Sequence, residues 1–436
     1  MGVLLGPAAI LLFAALPNYA VQAQTATGSP TTLTMAQAET TALANQPRML
    51  AAQLRARSSA ERVRETRAGY MPTIAFNATG VEVADTGTAT AAGNLTTSSI
   101  SDRFAYGGNL TQMVTDFGRT SALVGSARAT AEAQADIATL TRAQVRLNVR
   151  EAFYQVLGAE AVLRAARAAL DNRALVSRQL SALAQSELKS TLDVDFAKVL
   201  QSEAELAVVR AESLVAQQRS HLATAMGLQV PVSATLIDVP ATTDVLPSVP
   251  DDLLAQGQSQ RADLNAAQSQ QKASAEFALA EKRLNYPTLN ALGAAGEIPF
   301  HDHTLHDNYA AAGFNLSIPI FNGGAYRSRQ AEAQLEAAAR ARDVDELRLE
   351  VSEQVRDDWY RANEAYRSLD VTERLVAQSK EALRLAQDRY DAGLGSIVEL
   401  NEAQLNETSA EITAADATYT YLSRRAELDF AAGLLN

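Results

Sequence analysis

The chain has 436 residues, of which 20% are charged and 47% hydrophobic, and this composition excludes global disorder. Its net charge of −12 disfavours nucleic acid as a partner, because binding to phosphates needs a basic face. The chain has no cysteine, which excludes thiol catalysis, thiolate metal sites, disulfides and lipidation of an N-terminal cysteine.

Residues 1–23 are predicted to be a secretory signal peptide. An apolar run from Val3 to Leu16 is too short to span a bilayer, and small residues lead to a cleavage site after Ala23. No Lys or Arg precedes the run, which departs from the usual pattern. No later run reaches 18 apolar residues, so we expect no transmembrane helix in the mature chain.

Two copies of one structural unit are predicted to follow. A shift of 206 positions aligns residues 109–228 with 315–434 without a gap and pairs Gly118 with Gly324. We therefore divide the chain into a first repeat at 24–228 and a second at 251–436. A connector at 229–250 separates them and holds four of the twelve prolines, which indicates irregular structure.

The hydrophobic period changes twice within each repeat. Alternation of period two predicts strands at about 73–83, 103–114, 288–298 and 309–320. A helical period then returns, and residues 119–186 contain no proline, so they can form one helix about 100 Å long. The predicted fold is mainly α with a small β part, arranged as two tandem repeats of helix, two strands and long helices.

Four short segments with one apolar side are a weak signature of a transmembrane β-barrel. In the fourth, Phe314, Leu316 and Ile318 should face lipid, while Asn315 and Ser317 line the lumen. Two soluble hairpins packed on helices are the alternative, but the signal peptide and the very long helices favour the barrel. Because four strands cannot close a barrel, this interpretation requires an oligomer.

In this order the residues resemble the TolC family of bacterial outer-membrane efflux and secretion channels. Three motifs carry the resemblance: NLSIPIFNGG at 315–324, YDAGLGSIVELNE at 390–402 and AGLL at 432–435. The resemblance implies a homotrimer whose 12-stranded barrel, with four strands per subunit, continues as a long α-helical barrel across the periplasm.

The function implied by the resemblance is that of an exit duct in the cell outer membrane. The channel would belong to a tripartite efflux pump or a type I secretion system and would passively conduct small molecules or polypeptide. Its partners would be a periplasmic adaptor, an inner-membrane pump and outer-membrane lipid. The resemblance implies neither enzymatic activity nor a cofactor, and the substrate does not follow from the sequence.

A gate at the periplasmic helix tips is also implied by the resemblance. Matched position by position, Glu399 and Glu402 fall on the acidic pair of the second repeat and Asp193 on an acidic position of the first, which together form the predicted pore constriction. Tyr390 falls on the tyrosine that latches the closed tip, while Gly395 stands where the family has an arginine. Three copies of Glu399 and Glu402 would make two carboxylate rings that attract cations.

Glu399 also has a purely local interpretation. Ser396-Ile-Val-Glu399 fits a capping box, in which serine and glutamate satisfy the first backbone N–H groups of a helix. The sequence leaves the pore role and the capping role of Glu399 open.

Other candidate sites are weaker. His301, His303 and His306 lie in the predicted loop between the third and fourth strands, where solvated histidines are common, so no metal site is predicted. Ser186 fits an S-x-x-K hydrolase pattern without its companion motifs. Besides the channel, two alternatives remain: a soluble periplasmic coiled-coil adaptor or scaffold, and a periplasmic hydrolase.

Overall fold

The computed structural model describes residues 32–81, 89–90, 97–98, 103–187, 190–237, 246, 250–300 and 306–436. The predicted signal peptide at 1–23 lies outside the described residues. So do half of the connector, at 238–245 and 247–249, and two of the loop histidines, His301 and His303.

The helices form two matching sets. The first set is α1 (Met35–Asn45), α2 (Pro47–Arg67), α3 (Arg119–Gln185) and α4 (Thr191–Ala225). The second set is α5 (Asp251–Gln260), α6 (Ala262–Lys282), α7 (Ala325–Asp391) and α8 (Ile397–Ala431). Helices α3 and α7 have 67 residues each, α4 and α8 have 35, and α2 and α6 have 21. The equal lengths confirm the predicted tandem repeat.

The strands follow the same duplication. They are β1 (Thr32–Leu33), β2 (Thr73–Val81), β3 (Ala89–Thr90), β4 (Thr97–Ser98), β5 (Arg103–Thr115), β6 (Thr235–Leu236), β7 (Thr288–Phe300) and β8 (Asn308–Ser317). Strands β2, β5, β7 and β8 form an antiparallel sheet in that order, so β2 and β8 are its edges. Strand β1 pairs in parallel with β6.

Strand β8 ends three residues earlier than its predicted limit at residue 320. It stops at Ser317, so Ile318 lies just outside the strand. Pro319 explains the difference, because proline has no backbone N–H to donate to a ladder. Strand β7 runs two residues further than predicted, to Phe300.

Helix α3 is the central element of the helical part and packs against α2, α4, α6 and α8, while α7 packs against α5, α6 and α8. The residues with the predicted helical spacing are buried in one core, as at Val149, Phe153 and Val156 on α3 and Val351 and Val355 on α7. Within the described part of the chain, every helix falls short of the combined length and apolar character needed to cross a membrane.

Left-handed backbone conformations repeat between the two halves. Among the described residues of the first repeat, four have positive φ, and each has a counterpart 206 residues later. The pairs are Phe117 and Gly323, Gly118 and Gly324, Glu187 and Gly393, and Gly227 and Gly433. Glu187 (φ 59°) and Gly393 (φ 72°) show that the turns at the helix tips keep one geometry although the residue types differ.

Candidate functional site

The two helical hairpins, α3–α4 and α7–α8, are joined at their turns by a small apolar cluster. This tip cluster takes buried residues from all four helices: Leu180, Val194, Ala197, Ala386, Ile397 and Leu400. Tyr390, the predicted latch residue, is half-buried and packs against it. The aromatic ring therefore contributes to the packing that holds the α7–α8 turn in place.

Glu399 lies in the first turn of α8 and makes two local contacts. Its backbone N–H donates to the Ser396 hydroxyl at 3.2 Å, which is one half of the predicted capping box. Its carboxylate turns instead to Arg389 at the end of α7, with Nε and Oε1 3.3 Å apart. Arg389 Nη2 also donates to the Leu394 carbonyl at 3.4 Å. Arg389 thus bridges the α7–α8 turn, although Gly395 stands at the position where the family has an arginine.

Glu402 lies one turn further along α8 and is exposed. It shares a helix face with Glu399, and in the described residues it is in no ion pair. Asp193 is the exact repeat counterpart of Glu399, in the first turn of α4, where a negative charge is favourable to the helix dipole. The counterpart of Glu402 is Phe196, so the second acidic position occurs in one repeat only.

A second group of carboxylates lies further from the tips, where α3, α7 and α8 meet. Asp358 on α7 is 6% exposed and stands where the first repeat has Ala152. Burial raises its pKa, and the nearby Glu427 carboxylate raises it further. Burial and Glu427 also raise the pKa of Glu151 on α3. Arg424 faces this group and donates to Glu427 at 2.7 Å, and Arg361 Nη1 lies 3.7 Å from Asp358 Oδ1, so three carboxylates share two arginines.

The register of the sheet separates a mainly apolar face from a mainly polar one. Ile74 lies opposite Leu110, Leu110 opposite Gly293, and Gly293 opposite Ala312, so these four residues share a face. The opposite face carries small polar groups, among them Asn77, whose side-chain amide donates to Asn109 at 2.7 Å.

Phe314 and Leu316 lie on the apolar face, while Asn315 and Ser317 lie on the polar one. Phe314 is 77% exposed and Leu316 57%, and on the other edge strand Ile74 is 74% exposed. Ile318 continues the alternation beyond the end of β8 and is also exposed. The single chain therefore presents a broad apolar sheet face that the other described residues leave uncovered.

The described residues bring no three His, Asp or Glu side chains together in a way that could hold a metal ion. A groove of about 530 Å³ between α3, α6 and α7 contains an ion pair of Glu281 with Arg329, 2.8 Å between Oε2 and Nε. Ser186, the serine of the hydrolase alternative, is exposed at the end of α3, and its hydroxyl donates to the Ala182 carbonyl.

Known proteins are similar to this chain in sequence and in fold. The outer membrane protein TolC of Escherichia coli K12 is 25% identical over 152 residues, which is 35% of this chain and 30% of TolC. TolC of Salmonella enteritidis is 26% identical over 124 residues, 28% of this chain and 25% of that protein. The chain thus aligns with less than a third of the length of these curated relatives.

Two solved structures share the fold over most of their length. The Campylobacter jejuni CmeC outer membrane channel has a TM-score of 0.79 and 16% identity, covering 92% of this chain and 85% of that one. The Neisseria gonorrhoeae MtrE outer membrane channel in its open state has a TM-score of 0.77 and 20% identity, covering 92% and 88%. Both confirm the predicted combination of long helices and a small sheet.

The family match covers both repeats. The pattern of the outer membrane efflux protein family fits residues 20–228 and 253–434, which leaves out the first 19 residues, residues 229–252 around the connector and the last two residues. It agrees with the location in the outer membrane and with the channel class expected from the sequence, and it disfavours an enzyme. With its duplicated helices, its four-stranded sheet and this match along nearly the whole chain, the protein belongs to the outer membrane efflux protein family.

Proposed function

We propose that this protein is the exit duct of a tripartite efflux pump or a type I secretion system. Three copies form a 12-stranded β-barrel in the outer membrane, and the long helices continue it as an α-helical barrel across the periplasm. A periplasmic adaptor and an inner-membrane pump deliver the solute, which moves passively from the periplasm to the exterior.

The observation that carries this proposal is the sheet with two open edges and an exposed apolar face. Edge strands β2 and β8 have unpaired backbone groups along one side, and no open edge can remain in a bilayer. Pairing β8 of one copy with β2 of the next satisfies both edges and closes the sheet. The apolar face, with Phe314 and Ile74 mostly exposed, then meets lipid rather than water.

The polar face supports three copies rather than two. Eight strands give a barrel whose interior is filled by side chains, whereas larger barrels can hold a water-filled channel. The polar face carries asparagine, serine, threonine, glycine and alanine along much of its length, as at Asn109, Asn315 and Ser317. These small side chains, several of them polar, suit a wet lumen better than a packed core.

The helix tips supply the gate in this proposal. Glu399, Glu402 and Asp193 line the constriction, and three copies of the exposed Glu402 converge on the channel axis. Tyr390 is the latch, because its ring packs on the tip cluster and opening of the α7–α8 turn requires that packing to change. Arg389 joins the latch through its ion pair with Glu399.

The soluble scaffold alternative accounts less well for the sheet. A protein that works in water has no reason to expose Phe314, Phe76 and Ile74, each more than 70% accessible, on one face.

Light scattering of the purified full chain in detergent, corrected for bound detergent, tests the assembly. We expect a trimer without a folded monomer, because each monomer leaves two sheet edges open. The same preparation should form ion-conducting channels in planar bilayers. A well-folded monomer, or a trimer that never inserts into bilayers, contradicts the proposed function.

A further inference from the structure

A cluster of basic side chains lies where the helices meet the sheet. One end of the sheet holds the starts of β2 and β7 and the ends of β5 and β8, since Thr73 pairs with Thr111, and Thr288 with Ser317. The helix ends next to this end of the sheet carry the residues that we name the junction belt: Arg67, Arg119, Lys282, Arg283 and Arg327.

The junction has the opposite charge to the rest of the chain. Its four segments, residues 64–73, 113–122, 281–288 and 318–329, hold seven Arg or Lys residues and three Asp or Glu residues, a net charge of +4. The whole chain carries −12. Asp116 accepts hydrogen bonds from Thr120, and Glu281 pairs with Arg329, which leaves Glu65 to oppose the belt.

The belt residues are not used in ion pairs within the described part of the chain. Arg67, Lys282 and Arg327 are exposed. Arg283 donates to the Gly118 carbonyl, which holds the end of α6 beside the start of α3. Arg119 lies in the first turn of α3, where a positive charge opposes the helix dipole, so helix stability does not account for it.

An apolar rim lies at the same level as the belt. Ile320 is 95% and Phe321 89% exposed, and Tyr70, Tyr286 and Phe117 in the other junction segments are also exposed. Phe117 has a left-handed backbone (φ 54°) where the second repeat has Gly323, so an aromatic residue stands at a position that favours glycine. Aromatic side chains at the level of lipid headgroups are typical of membrane boundaries.

We propose that the junction belt binds the phosphate groups of anionic phospholipids in the leaflet that faces the helices. This proposal rests on the proposed function, because it takes the sheet to be in the bilayer. Guanidinium groups bind phosphate oxygens in a bidentate way, and basic residues beside a membrane-spanning segment attract anionic lipids. A trimer brings three such belts into one ring around the channel, with the apolar rim at the same level.

Electron paramagnetic resonance of spin-labelled lipids tests the proposal. The full-length trimer is placed in phosphatidylcholine vesicles that contain spin-labelled phosphatidylglycerol or spin-labelled phosphatidylcholine. The motionally restricted fraction of each label reports its association with the protein. We expect phosphatidylglycerol to be preferred about fivefold at low salt, and the preference to fall towards one in 1 M NaCl.

The variant Arg67→Gln/Lys282→Gln/Arg327→Gln should reduce the preference to about twofold or less, because these three side chains are exposed and unpaired. A matched control removes three exposed, unpaired arginines far from the junction: Arg164→Gln/Arg178→Gln/Arg210→Gln. Arg164 is about 70 Å from the start of α3 at 1.5 Å per residue, so the control should keep the wild-type preference.

Two failures are distinguishable. Equal association of both labels with the wild-type trimer, or an equal loss in the belt variant and the control, overturns the phospholipid site and leaves the channel intact. If neither label shows a motionally restricted fraction, the sheet is not in the bilayer and the proposed function itself fails.

Discussion

Lysine substitutions along β8 should reveal which face of the sheet meets lipid and at what depth. On the apolar face, Ala312, Phe314 and Leu316 lie five, three and one residues before the end of the strand at Ser317. With a rise of 3.3 Å per residue and a strand tilt of about 40°, they lie about 13, 8 and 3 Å above the end of the sheet that faces the helices. Ala312 is then near the middle of an apolar band about 25 Å tall.

The cost of a lysine should follow that depth. A lysine on the lipid face costs about 2–4 kcal/mol at the midplane and about 0–1 kcal/mol near the boundary. We therefore expect losses per subunit of about 3 kcal/mol for Ala312→Lys, about 2 for Phe314→Lys and under about 1 for Leu316→Lys. Three subunits multiply each loss, so Ala312→Lys should prevent trimer assembly.

Refolding of urea-denatured protein into lipid vesicles, followed by the yield of heat-resistant trimer on gels, measures the effect. Matched controls on the polar face are Gly313→Lys, Asn315→Lys and Ser317→Lys, which alternate with the test positions and should assemble. Equal loss on both faces, or a loss that does not decrease from Ala312 to Leu316, would show that the faces or the depth are assigned wrongly.

Three further predictions concern the helical part. Glu402→Gln should weaken cation selectivity and block by a trivalent cation, both measured in planar bilayers. The control Glu364→Gln, at an exposed position on α7, should change neither. Unchanged block in Glu402→Gln would place the constriction elsewhere. Because the pKa of Asp358 is raised in the folded protein, stability should rise as pH falls from 8 towards the ordinary aspartate value of about 4. Asp358→Asn should flatten that dependence in thermal unfolding and stabilise the protein most at high pH, where the buried carboxylate is charged; an unaltered pH profile would contradict the assignment. Glu187→Gly should stabilise the folded protein by about 1 kcal/mol, and Gly393→Ala should destabilise it by a similar amount. Both positions have a left-handed backbone, and a Cβ at Gly393 meets no neighbour. Effects of the same sign in urea unfolding would rule out backbone strain as the cause.

Sequence periodicity predicted the elements well because the repeat and the alternation are determined by local spacing. The shift of 206 residues predicted matching helices, and the alternation around Phe314 predicted the two faces of β8. The predicted strand extended to residue 320, however, because hydrophobic residues continue beyond Ser317, whereas Pro319 removes a donor from the ladder and the strand ends earlier.

The contacts at the tips and in the core could not be read from spacing. Arg389 and Glu399 are ten residues apart across a turn, and the ion pair depends on how that turn places two side chains. Asp358 lies next to Trp359 in an apolar pattern, so its burial beside Glu427 appears only when α7 and α8 are packed. Glu187 also has the left-handed backbone of Gly393, its counterpart 206 residues later, although the residue types differ.

The equal lengths of α3 and α7 mean that each chain sets the length of the helical part twice. Both helices have 67 residues, so both hairpins reach the same distance from the sheet, about 100 Å. One extra turn in α3 alone would move one hairpin turn 5.4 Å beyond the other and displace Leu180 from the tip cluster. A channel that is to span a wider or narrower compartment must therefore change length in both halves at once, and in the returning helices α4 and α8 as well. The duplication that built this protein also restricts how it can be resized.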